Sequence, residues 1–245
     1  MKSALFQTTD GTPVPALTAA QMREVDRIAT DEFGLGILQM MENAGRSLAL
    51  NAIEMLGRSR GRVAVLAGSG GNGGGGLCCA RHLHNRGFDI WVVLSKVPED
   101  LRGPARTQLD ILRAAGVQPT PVEQAAGVIA QAELTVDALI GYSLRGAPRG
   151  RAAGLIEACN RHSRRALSLD VPSGLDATGG GAPGLVVRPE RTLTLALPKT
   201  GLRHVPGALY LADMGIPPEV YTSLGISFAP FFGDRYWLEI KGMEA

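Results

Sequence analysis

The spacing of apolar residues changes character near residue 62. Before that point, apolar residues recur every three or four positions, which predicts amphipathic helices over 18–33 and 37–56. After it, short apolar runs alternate with helical stretches, a pattern typical of βα units that wind a parallel sheet. The predicted strands are Val63–Ala67, Ile90–Leu94, Val117–Val122, Leu134–Ile140, Ala166–Val171, Leu193–Leu197 and Ala208–Ala212. Because these runs are apolar on both sides, we expect a three-layer α/β fold, a mostly parallel sheet with helices on both faces.

Composition sets limits on the class of protein. The chain has 245 residues, of which 45% are hydrophobic and 20% charged, so we expect a single domain over 1–245. Residues 1–16 are interpreted as an extended lead-in, and 228–245 as an aromatic-rich tail that covers a sheet edge or another subunit. Cys78, Cys79 and Cys159 lie beside apolar residues, which favours reduced, buried thiols.

Charge and hydropathy argue against two kinds of partner. The net charge is only +2 and the basic residues are scattered, so no patch for nucleic acid is predicted. No apolar run reaches the roughly 18 residues of a membrane span, and the first residues lack the pattern of a secretory signal. We therefore expect a cytoplasmic protein that binds neither nucleic acid nor membranes.

A glycine-rich segment, 68–76, follows the first predicted strand. Gly68, Gly70 and Gly73 match the spacing of a dinucleotide-binding loop, and a helix is expected to begin near Leu77. Glycines let a backbone approach a ligand, and the start of a helix attracts anions, so the segment is a candidate phosphate site. The match is incomplete, because the second strand is not followed by the acid that would bind a ribose. A merely flexible turn is the alternative.

Two aspartates interrupt apolar strands whose ends should meet at one edge of the sheet. Asp137 lies inside its strand, where a carboxylate is costly unless a cation or hydrogen bonds compensate it. It is a candidate ligand, with capping of a neighbouring helix as the alternative. Asp170 ends its strand shortly before Ser173, and a desolvated carboxylate at a cleft is a candidate general acid or base, with a structural turn anchor as the alternative. Lys199 follows another strand and either faces an anion or lies in solvent.

Six motifs follow one another along nearly the whole chain. They are Thr18-Ala-Ala-Gln-Met-Arg with Asp26, Met41-Glu-Asn-Ala-Gly-Arg46, the glycine segment leading into Ala80-Arg81-His82-Leu83, Val136-Asp-Ala-Leu-Ile-Gly141, Asp170-Val-Pro-Ser-Gly174 and Pro198-Lys-Thr-Gly201. In this order they resemble the motifs of the YjeF N-terminal domain family, the NAD(P)H-hydrate epimerases.

The resemblance implies a Rossmann-like fold, a homodimer, and an isomerase that interconverts the R and S forms of hydrated NADH or NADPH at C6 of the nicotinamide ring. A separate dehydratase for the S form would be its pathway partner. By carry-over, Asp170 would be the catalytic residue, while Asn72, Asp137 and Ser173 would bind a potassium ion. The implied substrate-binding residues are Gly71, Asn72, Gly73, Gly74, Gly75, Gly141, Tyr142, Ser143, Leu144, Arg145, Gly146, Ala147 and Asp170.

Two departures from the family pattern leave alternatives open. The family loop Gly-Asn-Asn-Gly-Gly-Asp-Gly has lost its first Asn at Gly71 and its Asp at Gly75, and the family's Gly-Thr-Gly-Leu reads Gly141-Tyr-Ser-Leu144. One alternative is an inactive member that binds a nucleotide or serves as a scaffold. Another is an ordinary NAD(P)-dependent oxidoreductase, which no Tyr-x-x-x-Lys pair supports. The polar side chains that match the family pattern favour retained epimerase chemistry; they are Asn72, Asp137, Asp170 and Ser173.

Overall fold

A computed structural model describes residues 5–58 and 60–243 of the chain. Its helices are α1 (Ala19–Asp31), α2 (Ile37–Leu56), α3 (Gly71–His84), α4 (Gly103–Ala114), α5 (Ala125–Gln131), α6 (Gly150–His162) and α7 (Pro218–Ser223). Its strands are β1 (Phe6–Thr8), β2 (Pro13–Val14), β3 (Arg62–Ala67), β4 (Asp89–Leu94), β5 (Pro119–Thr120), β6 (Leu134–Ala138), β7 (Ala166–Leu169), β8 (Arg191–Leu195), β9 (Ala208–Ala212) and β10 (Trp237–Gly242).

All ten of these strands belong to one sheet, in the order β2-β1-β10-β9-β8-β7-β6-β3-β4-β5. Pairing is parallel from β9 to β5 and antiparallel where β10, β1 and β2 extend the other edge. Strand order reverses between β3 and β6, so the loops after these strands diverge at that point. Such a crevice at the carboxyl ends of parallel strands is where open α/β sheets bind ligands.

Helices cover both faces of the parallel part, which confirms the predicted three-layer architecture. Val63 and Val65 of β3 pack beneath α2, α3 and α4, whereas Ala64 and Leu66 pack beneath α5 and α6. All four side chains are fully buried, as expected for a strand that is apolar on both faces. A third apolar cluster joins α1 and α7 to the antiparallel edge. None of the described helices is long and apolar enough to cross a membrane.

Several predicted boundaries are wrong by two residues or more, and two of these differences have a clear physical reason. The predicted strand Val117–Val122 is reduced to β5, because Pro119 and Pro121 lack the backbone N–H groups that a longer ladder would need. The helix expected near Leu77 begins six residues earlier at Gly71, so most of the glycine-rich segment is helical. Burial against α2 and the sheet outweighs the low helix propensity of glycine there.

Both chain ends take part in the sheet. The lead-in forms β1 and β2, and Leu17 then pairs in parallel with Lys199 in an isolated bridge. The tail does more than cover an edge, because β10 inserts between β1 and β9. Phe228 of the tail stacks on Tyr221 of α7, with ring centroids 4.9 Å apart. Residues 1–4 of the lead-in and 244–245 of the tail lie outside the described residues.

Candidate active site

Asp170 lies at the carboxyl end of β7 in an unusual backbone conformation. Its φ angle is +68°, in the left-handed region that side chains other than Gly, Asn and Asp seldom adopt. Asp170 is 3% exposed, and its backbone N–H donates to the carbonyl of Leu193 on β8. Strained residues of this kind cluster at functional sites and persist only where their surroundings hold them.

The carboxylate of Asp170 is held from two sides. The Lys199 ammonium, 1% exposed, donates to its Oδ1 atom at 2.5 Å, and the Tyr142 backbone N–H donates to Oδ2 at 2.8 Å. Lys199 also donates to the carbonyl of Leu195 at 2.8 Å. The structure thus answers the question that the sequence left open: Lys199 is buried against an anion that belongs to the protein itself. A buried ion pair contributes little net stability, so its presence at a ligand crevice is a functional signal.

Asp137 occupies a fully buried position on β6 and ties two strand ends together. Its Oδ1 atom accepts from the Ser173 hydroxyl at 2.5 Å and from the Leu139 backbone at 3.3 Å. Its Oδ2 atom accepts from the Ser168 hydroxyl at 2.8 Å and from the Ser173 backbone at 2.9 Å. Burial raises the pKa of Asp137, and these four hydrogen bonds act in the opposite direction. Asp137 therefore links strand ends, and its described hydrogen bonds do not include a helix cap.

Asn72 and Asp170 approach each other across Gly141. A β-carbon at Gly141 would lie 2.9 Å from Asp170 Oδ2 and 3.2 Å from Asn72 Oδ1. The Nδ2 atom of Asn72 is buried and has no hydrogen-bond partner among the described residues. An unpaired buried amide is costly, and a ligand that completes its hydrogen bonding is one explanation. The structure therefore brings Asn72, Asp137, Asp170 and Ser173 to one edge of the sheet.

Most glycines of the 68–76 segment are accounted for by packing. A β-carbon at Gly73 would lie 1.9 Å from the Gly68 carbonyl, at Gly74 2.4 Å from Met41, and at Gly76 2.5 Å from Ala138. Gly75, where the family pattern has Asp, is buried against Leu169. The expectation of a glycine loop over 71–75 is wrong, since these residues form the first turns of α3. Gly71 faces open space, and it remains a candidate contact for a ligand.

The 141–147 segment forms an irregular loop beside Asp170. Tyr142 is half-buried, and its ring centroid lies 5.7 Å from the Lys199 ammonium. Ser143, Arg145 and Gly146 are exposed, so they are free to contact a ligand but have no described contact with the site. Arg149, just after this loop, is exposed as well.

Two site residues were missed at the level of sequence. Lys199 was left undecided, although its place after a strand in Pro198-Lys-Thr-Gly201 is the same signal that marked Asp170. Asp26 was noted only as a motif residue, yet its Oδ2 atom accepts a 2.5 Å hydrogen bond from the Tyr142 hydroxyl. No periodicity could reveal that contact, because it joins residues 116 positions apart.

Comparison with known proteins identifies the family of this chain. The sequence pattern of the family described as YjeF-related protein N-terminus matches residues 37–201, which is more than half of the chain. The chain belongs to this family. Its YjeF-related fold is also seen in the crystal structure of yeast ynu0, with a TM-score of 0.80, 24% identity, and coverage of 92% of this chain and 100% of that one.

Curated relatives extend over different lengths. A protein of Dehalogenimonas lykanthroporepellens named NAD(P)H-hydrate epimerase is 50% identical, over 98% of this chain and 98% of its own length. A protein of Moorella thermoacetica named bifunctional NAD(P)H-hydrate repair enzyme Nnr is 38% identical over 84% of this chain, but this match covers only 42% of the relative. The YjeF-related chain thus spans nearly the whole length of the first relative and less than half of the second.

Proposed function

We propose that this protein is an isomerase that interconverts the R and S forms of hydrated NADH or NADPH, as part of nicotinamide nucleotide repair. The observation that carries the proposal is the buried Asp170–Lys199 ion pair at the sheet edge. Beside it lies the amide of Asn72, whose nitrogen has no hydrogen-bond partner among the described residues. The relative named NAD(P)H-hydrate epimerase, which aligns over nearly its entire length, supports the same activity.

The ion pair is suited to moving protons in both directions. Inversion at C6 requires one bond to that carbon to break and to re-form on the other face, with one proton removed and one returned. Asp170 is an acceptor and Lys199 a donor, and the two groups lie 2.5 Å apart. General acid–base catalysis by such positioned groups contributes rate factors of about 10² to 10⁴. Gly71 and the exposed part of the 141–147 loop are left to contact the rest of the nucleotide.

A potassium ion is the cofactor that we assign to the same edge. Amide, carboxylate and hydroxyl oxygens are the ligands that hard cations select, and Asn72, Asp137 and Ser173 supply one of each. Asn72 fits this role because its side-chain amide lacks a protein partner among the described residues, and amide nitrogen and oxygen exchange places by a simple flip. The ion would supply positive charge near the substrate's phosphates or hydroxyl group.

The potassium assignment predicts an ion-dependent stability. We expect the melting temperature to rise with potassium chloride but not with choline chloride at equal ionic strength, by a few degrees at about 100 times the dissociation constant. Asn72→Ala should abolish this rise while preserving the fold, because alanine is favourable within a helix. A melting temperature of the wild type that responds equally to both salts would remove potassium from the proposal.

We further propose a cytoplasmic homodimer that works with a hydrate dehydratase. Three neighbouring apolar side chains, Phe33, Ile37 and Leu38, are 44–51% exposed, which supports burial against a second copy. The name of the bifunctional relative supports the pairing of epimerase and dehydratase activities. Sedimentation analysis of the wild type and of Ile37→Lys would test the dimer.

A direct assay tests the proposed activity. The separated R and S hydrates of NADPH are incubated with the purified protein, and their ratio is followed by chromatography. We expect the approach to equilibrium to be accelerated in both directions, in proportion to protein concentration. If the wild type gives no acceleration over the spontaneous reaction, the non-catalytic alternative replaces the epimerase.

A further inference from the structure

A half-buried carboxylate on α1 lies behind the Asp170–Lys199 pair. Asp26 accepts a 2.5 Å hydrogen bond from the Tyr142 phenol. Among the described residues, no lysine or arginine nitrogen lies within 4.0 Å of its carboxylate. Burial raises the pKa of Asp26, and the Tyr142 hydrogen bond and the Lys199 charge offset that effect only in part. An ionised carboxylate is therefore costly at this position, and the packing of α1 does not explain why an aspartate is found there.

Tyr142 connects Asp26 to both members of the ion pair. Its phenol binds Asp26, its backbone N–H donates to Asp170 Oδ2 at 2.8 Å, and its ring centroid lies 5.7 Å from the Lys199 ammonium. The last distance is within the range of a cation–π interaction. One residue thus contacts Asp26, Asp170 and Lys199 through three different parts of its structure.

The connection matters because neither Tyr142 nor Asp170 is held rigidly by its own segment. Tyr142 lies in the irregular 141–147 loop, whose neighbouring residue Ser143 is exposed. Asp170 has a strained φ of +68°, which requires contacts from its surroundings. Helix α1, in contrast, begins with a capping box at Thr18 and buries Val25 and Ile28. Asp26 therefore offers the loop a fixed anchor on a packed helix.

We infer that Asp26 is a positioning residue of this site, which acts through Tyr142 to hold Asp170 and Lys199 in their reactive arrangement. The inference rests on the proposed epimerase function and adds a residue to its machinery. What matters in this role is the acceptor oxygen of Asp26, not its charge or proton. Asparagine keeps such an oxygen and alanine does not, so the two substitutions separate positioning from proton transfer.

The test compares kcat and KM for hydrated NADPH in wild type, Asp26→Ala, Asp26→Asn, Tyr142→Phe and the double variant Asp26→Ala/Tyr142→Phe. Asp31→Asn, at an exposed site on the same helix, is the matched control. Circular dichroism and gel filtration verify that each variant is folded. We expect Asp26→Ala and Tyr142→Phe each to lower kcat on the order of tenfold, with KM within about twofold of wild type. Asp26→Asn should stay within about threefold, and the double variant should lose no more than either single variant.

Three results would overturn the inference. They are an Asp26→Ala variant with the kcat of wild type, equal losses in Asp26→Asn and Asp26→Ala, and losses that multiply in the double variant. An active wild type with an unaffected Asp26→Ala variant contradicts only the role of Asp26. A wild type that does not accelerate epimerisation overturns the proposed function, and the role of Asp26 with it.

Discussion

The glycine-rich start of α3 and the strand ends that carry Asp137 and Asp170 both resemble ligand sites in the sequence, but they are built differently. At Gly73, Gly74 and Gly76, an added β-carbon would collide with neighbouring atoms, so the glycines permit α2, α3 and the sheet to approach closely. At the strand ends, the residues are polar, buried and held by hydrogen bonds. The glycines of α3 are therefore explained by the close packing of its neighbours. The buried charged residues at the strand ends are not required for packing, so they indicate a functional site.

The largest expected effect is on the chemistry at Asp170. Asp170→Asn should lower kcat for hydrate epimerisation by about 10² to 10⁴, because the substitution removes the group that we propose as proton acceptor. The fold should persist, since asparagine tolerates the left-handed conformation that Asp170 adopts. The measurement is chromatographic epimerisation together with thermal unfolding.

Asp176→Asn is the matched control, since Asp176 is exposed in the loop that follows β7 and its Oδ1 atom accepts backbone hydrogen bonds that asparagine can also accept. A folded Asp170→Asn variant with wild-type kcat would mean that the strand ends, like the glycines, serve only the structure.

The same contrast shows how far the sequence could be interpreted. Continuous apolar runs identified β3, β4 and β9 to within a residue. For β3 the physical reason is burial on both faces, which requires such a run. Strand β10 is not among the predicted strands, although Leu238 and Ile240 alternate with partly exposed or polar residues, as in a strand with one buried face. The aromatic residues just before this strand favour a surface strap instead, which is why the alternation is not decisive by itself.

The site was predictable only in part, for a physical reason. Asp137 and Asp170 stand out because a carboxylate in an apolar strand contradicts its surroundings. Lys199 and Asp26 do not, because lysine in a loop and aspartate on a helix are ordinary until their partners are known. Those partners come from distant positions in the sequence, and only the folded arrangement brings them together.

The second effect concerns packing at the glycine-rich start of α3. Gly76→Ala should reduce the free energy of unfolding by about 1–3 kcal/mol, because its β-carbon would lie 2.5 Å from that of Ala138. For a chain of this size, that loss lowers the melting temperature by roughly 2–4 °C per kcal/mol. Urea unfolding followed by circular dichroism measures it.

The control is Gly154→Ala in α6, where no atom lies within 4 Å of the added β-carbon. Alanine should stabilise that helix by up to about 1 kcal/mol. If Gly76→Ala is as stable as wild type, close packing does not explain the glycines. The result would then favour the alternative that the 68–76 segment contacts a ligand.

The smallest effect is a gain in stability from replacing Asp26, which lies on α1 next to the strand-end residues. Burial raises the pKa of Asp26 above its usual 3.8, so the folded state binds the Asp26 proton more tightly than the unfolded state does. The stability contributed by the protonated group is complete below that value and is lost as the pH rises through the folded-state pKa. Asp26→Asn removes this loss and keeps the acceptor for Tyr142. The variant should therefore melt about 1–4 °C higher than wild type at pH 7, with the difference shrinking as the pH is lowered toward 4.

Thermal unfolding from pH 4 to pH 8, with Asp31→Asn run in parallel to correct for the loss of one surface charge, measures the difference. A variant that melts below wild type at neutral pH would show that the Asp26 carboxylate stabilises the fold. Asp26 would then be a structural residue, and the buried carboxylates that reduce stability would be limited to the strand ends.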